Sequence, residues 1–420
     1  MSAAQDSSSV LSFEDARRVV EEQAAQVPAS GAETVDLLSA AGRVLAEPVL
    51  ADRDIPPFPR STRDGYAVRS SDLCQLPANL EVVGEIRAGE RPENIPARLE
   101  AGHAIAIMTG APVPPEADAV VMVEHTLRHD DRVEITRAVA PGENIVPRAA
   151  EARQGHTLLE RGVRLNQDGV ALAASVGKAR LEVHKRPRIA LLTTGDEIVP
   201  VSATPGPSQI RNSNSYSLAV QVLQAGGQPI LLPIAPDEPS ALRDLIEEGL
   251  NSDLLLMTGG VSMGRYDLVE QVLSELGAQF FFTGARIQPG RPVVFGNCSA
   301  GALSREKPVA YFFGLPGNPV STMVTFELFA RPLIEALAGQ APGKLRFLHA
   351  RLKSEIRVRT GLRRFLPALL DGEFDNSAVE LVPWQGSGDI AATARANCYA
   401  VIPPDRECIP AGEWIAVLLR

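Results

Sequence analysis

RIALLTTGDE, residues Arg188 to Glu197, is the stretch whose reading decides the fold. Ile189, Ala190, Leu191 and Leu192 form an unbroken apolar run rather than an alternating one. Such a run suits a strand covered on both faces. It breaks off in a glycine-containing turn that carries two acids, Asp196 and Glu197. The pattern recurs in DLLLMTGGVS, Asp253 to Ser262. Between and after these runs the periodicity changes to that of helices. SNSYSLAVQVLQAGG (213–227) has a Ser/Asn start and a Gly stop, and PSALRDLIEEGLN (239–251) places Leu242, Leu245 and Ile246 on one side. YDLVEQVLSELGAQ (266–279) and NPVSTMVTFELFARPLIEAL (318–337) complete the helices, with further strands at 229–235, 279–287, 292–296 and 308–317. Strand–helix alternation of this kind predicts a mostly parallel sheet with helices on both faces.

Outside this region the texture differs. Residues 11–27 read as an amphipathic helix, with Phe13, Ala16, Val20, Ala24 and Val27 on one face and Ser12 and Asp15 at its start. Short β-prone runs follow, EVVGEI, AIAIM, AVVMVEH and RVEITRAV, and then a helical stretch, VALAASVG. Beyond the turn signals of GQAPG (339–343), β-prone segments take over and helical ones cease. The expected fold class is a multi-domain α/β protein. Its parts are a discontinuous mixed linker domain (12–57 and 142–183), an inserted β domain (58–141), an α/β domain (184–340) and a small C-terminal β-barrel (344–420).

Composition narrows the function. The 420 residues hold 41 Lys and Arg against 51 Asp and Glu, a net charge of -10. That argues against a nucleic-acid partner, which calls for a basic face. It leaves room for a small anion held in a local basic pocket. Cys74, Cys298, Cys398 and Cys408 show no CxxC spacing, and six histidines form no metal motif. The beginning, MSAAQDSSSV, lacks the basic and apolar parts of a signal peptide and reads as a short disordered segment. No apolar run approaches the ~20 residues that span a bilayer. A cytoplasmic protein with no membrane partner is the expectation.

Ligands of open α/β sheets bind at the carboxyl ends of the strands. Four unusual loops fall there: TGDE (194–197), TGGVSMG (258–264), QPGRP (288–292) and GLPGNPVS (314–321). Glycines allow close backbone approach, and free N–H groups at a strand–helix junction attract anions. Gly259, Gly260 and Ser262 are the leading phosphate contacts. Asp196, Glu197, Asp237 and Asp267 lie on the same side, where a hard cation bridging phosphates needs oxygen ligands. Asp237 and Asp267 also stand where helix caps stand. Arg291, stiffened between Pro289 and Pro292, can present a fork of donors to an oxyanion. Upstream, Asp64 lies in a turn among Arg60, Arg63 and Arg69, and Thr109 and Gly110 end a strand.

Taken together and in order, RDGYA (63–67), MTGAPVP (108–114), TGDE, GGVS, PGRP and GLPGNPVS resemble the molybdopterin molybdenumtransferase (MoeA) family, which includes the gephyrin E domain. The resemblance covers roughly residues 12–420. It implies that the α/β domain is like the molybdopterin adenylyltransferase and that the chain is an elongated homodimer. It implies magnesium-dependent cleavage of adenylylated molybdopterin, with release of AMP and transfer of molybdenum from molybdate to the pterin. The family's catalytic positions fall on Asp64, Thr109, Glu197, Asp237, Asp267, Pro289 and Pro292. Magnesium would be held by Asp237 and Asp267, and substrate by Gly259, Gly260, Ser262, Arg291 and Ser321. Asp64 and Thr109 would face the α/β domain of the second subunit, and the adenylyltransferase is an implied partner. Three segments depart from the family's usual pattern: PRSTRDGYA where DNSAMDGYA is common, RAAEA (148–152) where an RGED-like segment is common, and QPGRP where KPGKP is common. Gln288 thereby removes one positive charge from the oxyanion loop. Adenylyl transfer from ATP, and a pterin-binding scaffold without turnover, are the competing readings.

Overall fold

The computed structural model describes residues 10–95, 98–259, 268–299, 309–341 and 343–420. The opening segment read as disordered, residues 1–9, lies outside them. The central sheet runs in the order Gln228–Leu231, Arg188–Thr193, Leu254–Thr258, Val309–Leu315, Val294–Ser299, Ala278–Phe282. The first four strands are parallel, and Val294–Ser299 runs antiparallel to its neighbour on either side. Apolar residues that follow one another along a strand go to opposite faces. Ile189 and Leu191 join one buried cluster, with Leu218 and Val222 of the Asn214–Ala225 helix. Ala190 and Leu192 join another, with Leu242 and Ile246 of the Pro239–Leu250 helix. This two-sided burial is why the sequence shows an unbroken apolar run.

The linker closes on itself through distant pairings. Ala32–Asp36 lies antiparallel to Arg180–His184, and Val49–Leu50 to Thr157–Leu159. The β-prone middle forms a six-stranded sheet, and its Gly65–Val68 strand is flanked by Ala119–Met122 and His103–Ile107. In the C-terminal region five strands close into a barrel, Arg363–Asp371 pairing with both Ala378–Leu381 and Cys398–Ile402. Closure leaves no free edge for these five strands. Buried there, Cys398 donates to the Ala368 carbonyl at 3.3 Å. Burial pushes its thiol up to about 11, so it stays an unreactive thiol at neutral pH.

Three elements differ from the sequence reading. The Phe13–Ala24 helix, grouped with the linker, buries Ala16, Val20 and Ala24 in the same core as the α/β domain. Its partner there is the Arg331–Leu337 helix. The barrel region contains one short helix after all, Ile390–Arg395, started by Asp389, whose carboxylate accepts from the Ala392 N–H at 2.9 Å. Residues 318–337 are not one regular helix. Pro319–Thr325 and Arg331–Leu337 are joined by a π-helical turn, Phe326–Ala330.

Proline explains much of this interruption. Pro332 has no N–H to offer the Leu328 carbonyl four residues earlier. Arg17 supplies the donor instead, reaching that oxygen at 2.6 Å and the Gly343 carbonyl at 3.2 Å. The same guanidinium pairs with Glu21 at 2.7 Å. Removing it strands a buried acceptor. Arg17→Met is expected to cost about 2 kcal/mol of stability, read as a lower urea midpoint for the unfolding of the α/β region.

Candidate functional site

The parallel register sets the site. Thr193 lies opposite Thr258 and Leu192 opposite Met257, so the TGDE and TGG loops leave the sheet side by side. They touch closely. A Cβ placed on Gly259, at φ +89°, would stand 2.5 Å from the Thr194 carbonyl, so no other residue fits there. Beneath them the Thr193 hydroxyl lies 2.8 Å from that of Ser215 and 3.2 Å from that of Thr258. Asn212 donates to the Ser215 hydroxyl at 2.9 Å. These buried hydroxyl and amide contacts stiffen the floor under the loops.

Three adjoining cavities follow the carboxyl ends of the strands. The first, about 310 Å³, is lined by Asp237, Glu197, Thr194 and Gly259. The second, about 690 Å³, shares the last three of these and adds Asn214, Pro292, Pro316 and Asn318. The third, about 430 Å³, shares Pro292, Pro316 and Asn318 and adds Gln288, Pro289, Arg291 and Ser321. The row therefore has an acidic end and an end with a guanidinium and hydroxyls.

Asp237 is not a helix cap. The residue that begins the Pro239–Leu250 helix is Glu238, and its side chain makes no capping bond. The Asp237 backbone N–H donates to Asp196 at 3.1 Å. Partial burial, the Asp196 carboxylate and, more weakly, Glu197 push the Asp237 carboxyl above its usual range, opposed by a backbone hydrogen bond at Asp196. A cation or a proton would relieve this crowding. Among the described residues no group of three or more His, Cys, Asp or Glu side chains forms a metal cluster. Asp267, Gly260 and Ser262 lie outside the described residues.

Asp64 and Thr109 meet each other but do not line this row of cavities. They are exposed on the inserted β domain. The Thr109 backbone N–H and hydroxyl both donate to one Asp64 oxygen, at 2.6 and 2.9 Å. Those two bonds hold the Asp64 carboxyl below its usual range. Gly65 is there because the strand passes directly against the Val121 carbonyl, where any Cβ would collide. The neighbouring RAAEA segment packs beside this turn. Ile145–Val146 pairs with Arg60–Ser61, and Arg60 reaches Glu151 at 3.0 Å. Ala149, where the related pattern has Gly, adopts φ +61°.

Several residues of the site escaped the sequence reading. Arg364 of the barrel donates to Gln288 at 2.8 Å, placing a guanidinium next to the residue whose lysine is missing. Trp384, Gly386 and Ser387 line the third cavity, and Gly388 and Ile390 the second. Asn318 donates to the Ser387 hydroxyl at 2.9 Å, and Asn214 to the Gly317 carbonyl at 2.7 Å. The only visible signal was the GSG at 386–388, a glycine-rich break in a β-prone region.

Comparison with known proteins bears on the whole chain. Residues 11–177 match the MoeA N-terminal region (domain I and II), residues 190–336 the "Probable molybdopterin binding domain", and residues 349–419 the MoeA C-terminal region (domain IV). A molybdopterin molybdenumtransferase of Nostoc sp. is 37% identical over 92% of this chain and 88% of its own. One of Bacillus subtilis is 32% identical over 92% of this chain and 89% of its own. A crystal structure of the molybdopterin biosynthesis moeA protein of Pyrococcus horikoshii superposes with a TM-score of 0.78 at 28% identity, covering 98% of this chain and 100% of that one.

The Asp64–Thr109 contact can be tested by itself. Because the Asp64 carboxyl is held below 3.8, its contribution to stability is present above that pH and is lost as pH falls through the lowered value. Thr109→Ala removes the hydroxyl and keeps the backbone N–H. The Asp64 carboxyl should then titrate closer to 3.8 by NMR than it does in the unmodified chain.

Proposed function

Since this chain belongs to the MoeA family of molybdopterin molybdenumtransferases and is a transferase of molybdenum-cofactor biosynthesis, we propose that its row of cavities takes adenylylated molybdopterin and molybdate and releases AMP. The observation that carries this reading is the polarity of the row. Asp237 and Glu197 stand at one end, and Arg291, Ser321 and Ser387 at the other. A substrate with a diphosphate in its middle and a dithiolene at one end matches such a layout. The diphosphate and the transferred oxyanion each need their own partners.

Magnesium belongs to the acidic end on chemical grounds. Asp237 is a partly buried oxygen donor crowded by Asp196 and Glu197, and a hard cation would offset that repulsion. Asp267 is the second proposed ligand. When bound, the ion would offset charge on the phosphoanhydride as AMP departs. Gly259, with Gly260 and Ser262, would cradle phosphate oxygens through backbone N–H groups. Glu197 would position a metal-bound water. Arg291 would present its guanidinium to molybdate, with the Ser321 hydroxyl beside it. Pro289 and Pro292 would hold that loop in shape.

Asp64 and Thr109 find their role in a second copy of the chain. They are displaced from the cavities of their own chain, so a homodimer would bring them to the row of the other subunit. The hand-over of adenylylated pterin from the adenylyltransferase, and a cytoplasmic location, belong to the same reading. Among the described residues no helix is long and apolar enough to cross a membrane.

Purified protein given adenylylated molybdopterin, molybdate and magnesium should release AMP and yield cofactor that activates an apo-molybdoenzyme. Absence of AMP beside an active control enzyme refutes the reading. The shared site makes a second demand. Asp64→Asn and Asp237→Asn chains, each inactive alone, should regain about a quarter of the wild-type rate when unfolded together and refolded, because half the dimers then carry one intact site. Mixtures that stay inactive would confine each site to one chain.

A further inference from the structure

The third cavity is not uniformly polar. Ile287, Pro289, Leu362 and Trp384 give it an apolar wall, facing a small polar set that includes Arg291 and the buried Ser321 hydroxyl. The wall comes partly from a different unit, the barrel, and it is held firmly. Ser387 is gripped on both sides, its hydroxyl by Asn318 at 2.9 Å and its carbonyl by the Val320 N–H at 2.9 Å. The Asp389 carboxylate accepts from the Gln385 N–H at 3.0 Å, closing the turn that follows Trp384. On its other side Trp384 packs against two buried clusters, one of the barrel and one shared with the α/β domain. An indole fixed this way is a pre-organised surface, which costs little entropy when a ligand arrives.

We propose that Trp384 is a specificity-determining residue that contacts the pterin end of the substrate, the indole packing on the fused ring system beside the dithiolene. The inference rests on the function proposed above. It follows from where the polar groups are. An arginine and a buried hydroxyl suit an oxyanion, and in this reaction the oxyanion must meet the two sulfurs. The apolar surface beside them therefore belongs to the ring that bears the sulfurs, not to adenine, which never meets molybdate. Indole offers polarisable area to both sulfur and a π-system. A cavity of about 430 Å³ with one apolar wall and a few convergent polar groups has the make-up of a small-molecule site.

The chain has two tryptophans, which makes the test direct. Trp414 lies on the barrel strand Trp414–Leu419 with the Arg351 guanidinium 5.2 Å from its ring, and it lines none of the three cavities. Trp414→Phe leaves Trp384 as the single indole. The full-length variant is titrated without oxygen with molybdopterin, adenylylated molybdopterin and AMP, followed by calorimetry and by indole emission. Both pterin ligands should change the emission saturably, at the calorimetric Kd, while AMP leaves it unchanged. Trp384→Ala should weaken both pterin ligands about tenfold and Trp384→Phe less than about threefold, the range expected for one aromatic contact. In turnover, Trp384→Ala should raise KM more than it lowers kcat.

Calorimetric binding of the pterins without a change in emission overturns the assignment and leaves the function reading standing. So does unchanged pterin affinity in Trp384→Ala, or an AMP signal equal to that of the pterins. Should Trp384→Ala fail to fold, the emission titration of the Trp414→Phe chain decides alone. Pterins that do not bind the wild-type chain at all overturn the function reading itself, and this inference with it.

Discussion

Everything at the site depends on one ladder. The Arg188–Thr193 and Leu254–Thr258 strands pair in parallel with Thr193 opposite Thr258. Parallel pairing sends both chains out of the sheet at the same end, and equal register sends them out at the same height. Had the second strand slipped by one residue, its inward and outward side chains would exchange faces. The two buried clusters that clamp the sheet forbid that, because Leu255 and Met257 belong to one and Leu254 and Leu256 to the other. Packing on both faces thus fixes the height of two loops whose backbones must nearly touch. Gly259 is the residue that permits the contact.

A second tie brings the barrel to the cleft. Ile287–Gln288, the strand that leads into the PGRP loop, pairs in parallel with Arg363–Arg364 of the barrel. The loop is therefore anchored to two units at once. From this side come Arg364, beside Gln288, and the turn that carries Trp384 and Ser387. The charge absent at Gln288 is not simply missing from the neighbourhood, since a guanidinium stands against its amide oxygen. A cleft that takes one wall from a separate barrel can vary that wall while the sheet and its loops stay intact.

Legibility in the sequence followed the range of the forces. The α/β unit could be read because buried runs and helical periodicity are local properties of the chain. The loops could be read because Gly and Pro announce unusual backbone wherever they cluster. What stayed hidden depends on contacts between distant segments. Nothing local in Phe13–Ala24 says that its apolar face belongs to the α/β core rather than to the linker. Nothing local in the 318–337 helix reveals its π turn, although Pro332 was a sign that one carbonyl would need another donor. Arg364, Trp384 and Ser387 face the cleft only because the barrel docks where it does. The helix Ile390–Arg395 was lost in a β-prone background, being little more than one and a half turns long.

The reach of Arg17 has a consequence for how the molecule is made. Its buried partner, Leu328, is 311 positions further along the chain, and Val10–Leu11 pairs with Gly284–Ala285. Once it leaves the ribosome, the Phe13–Ala24 helix thus has no cover for its apolar stripe until the α/β unit has been almost completely synthesised. At ordinary rates of translation the wait is roughly 15–60 s. Throughout that time Ala16, Val20 and Ala24 present a sticky surface to the surroundings, and a holding chaperone would have a short and well-defined client.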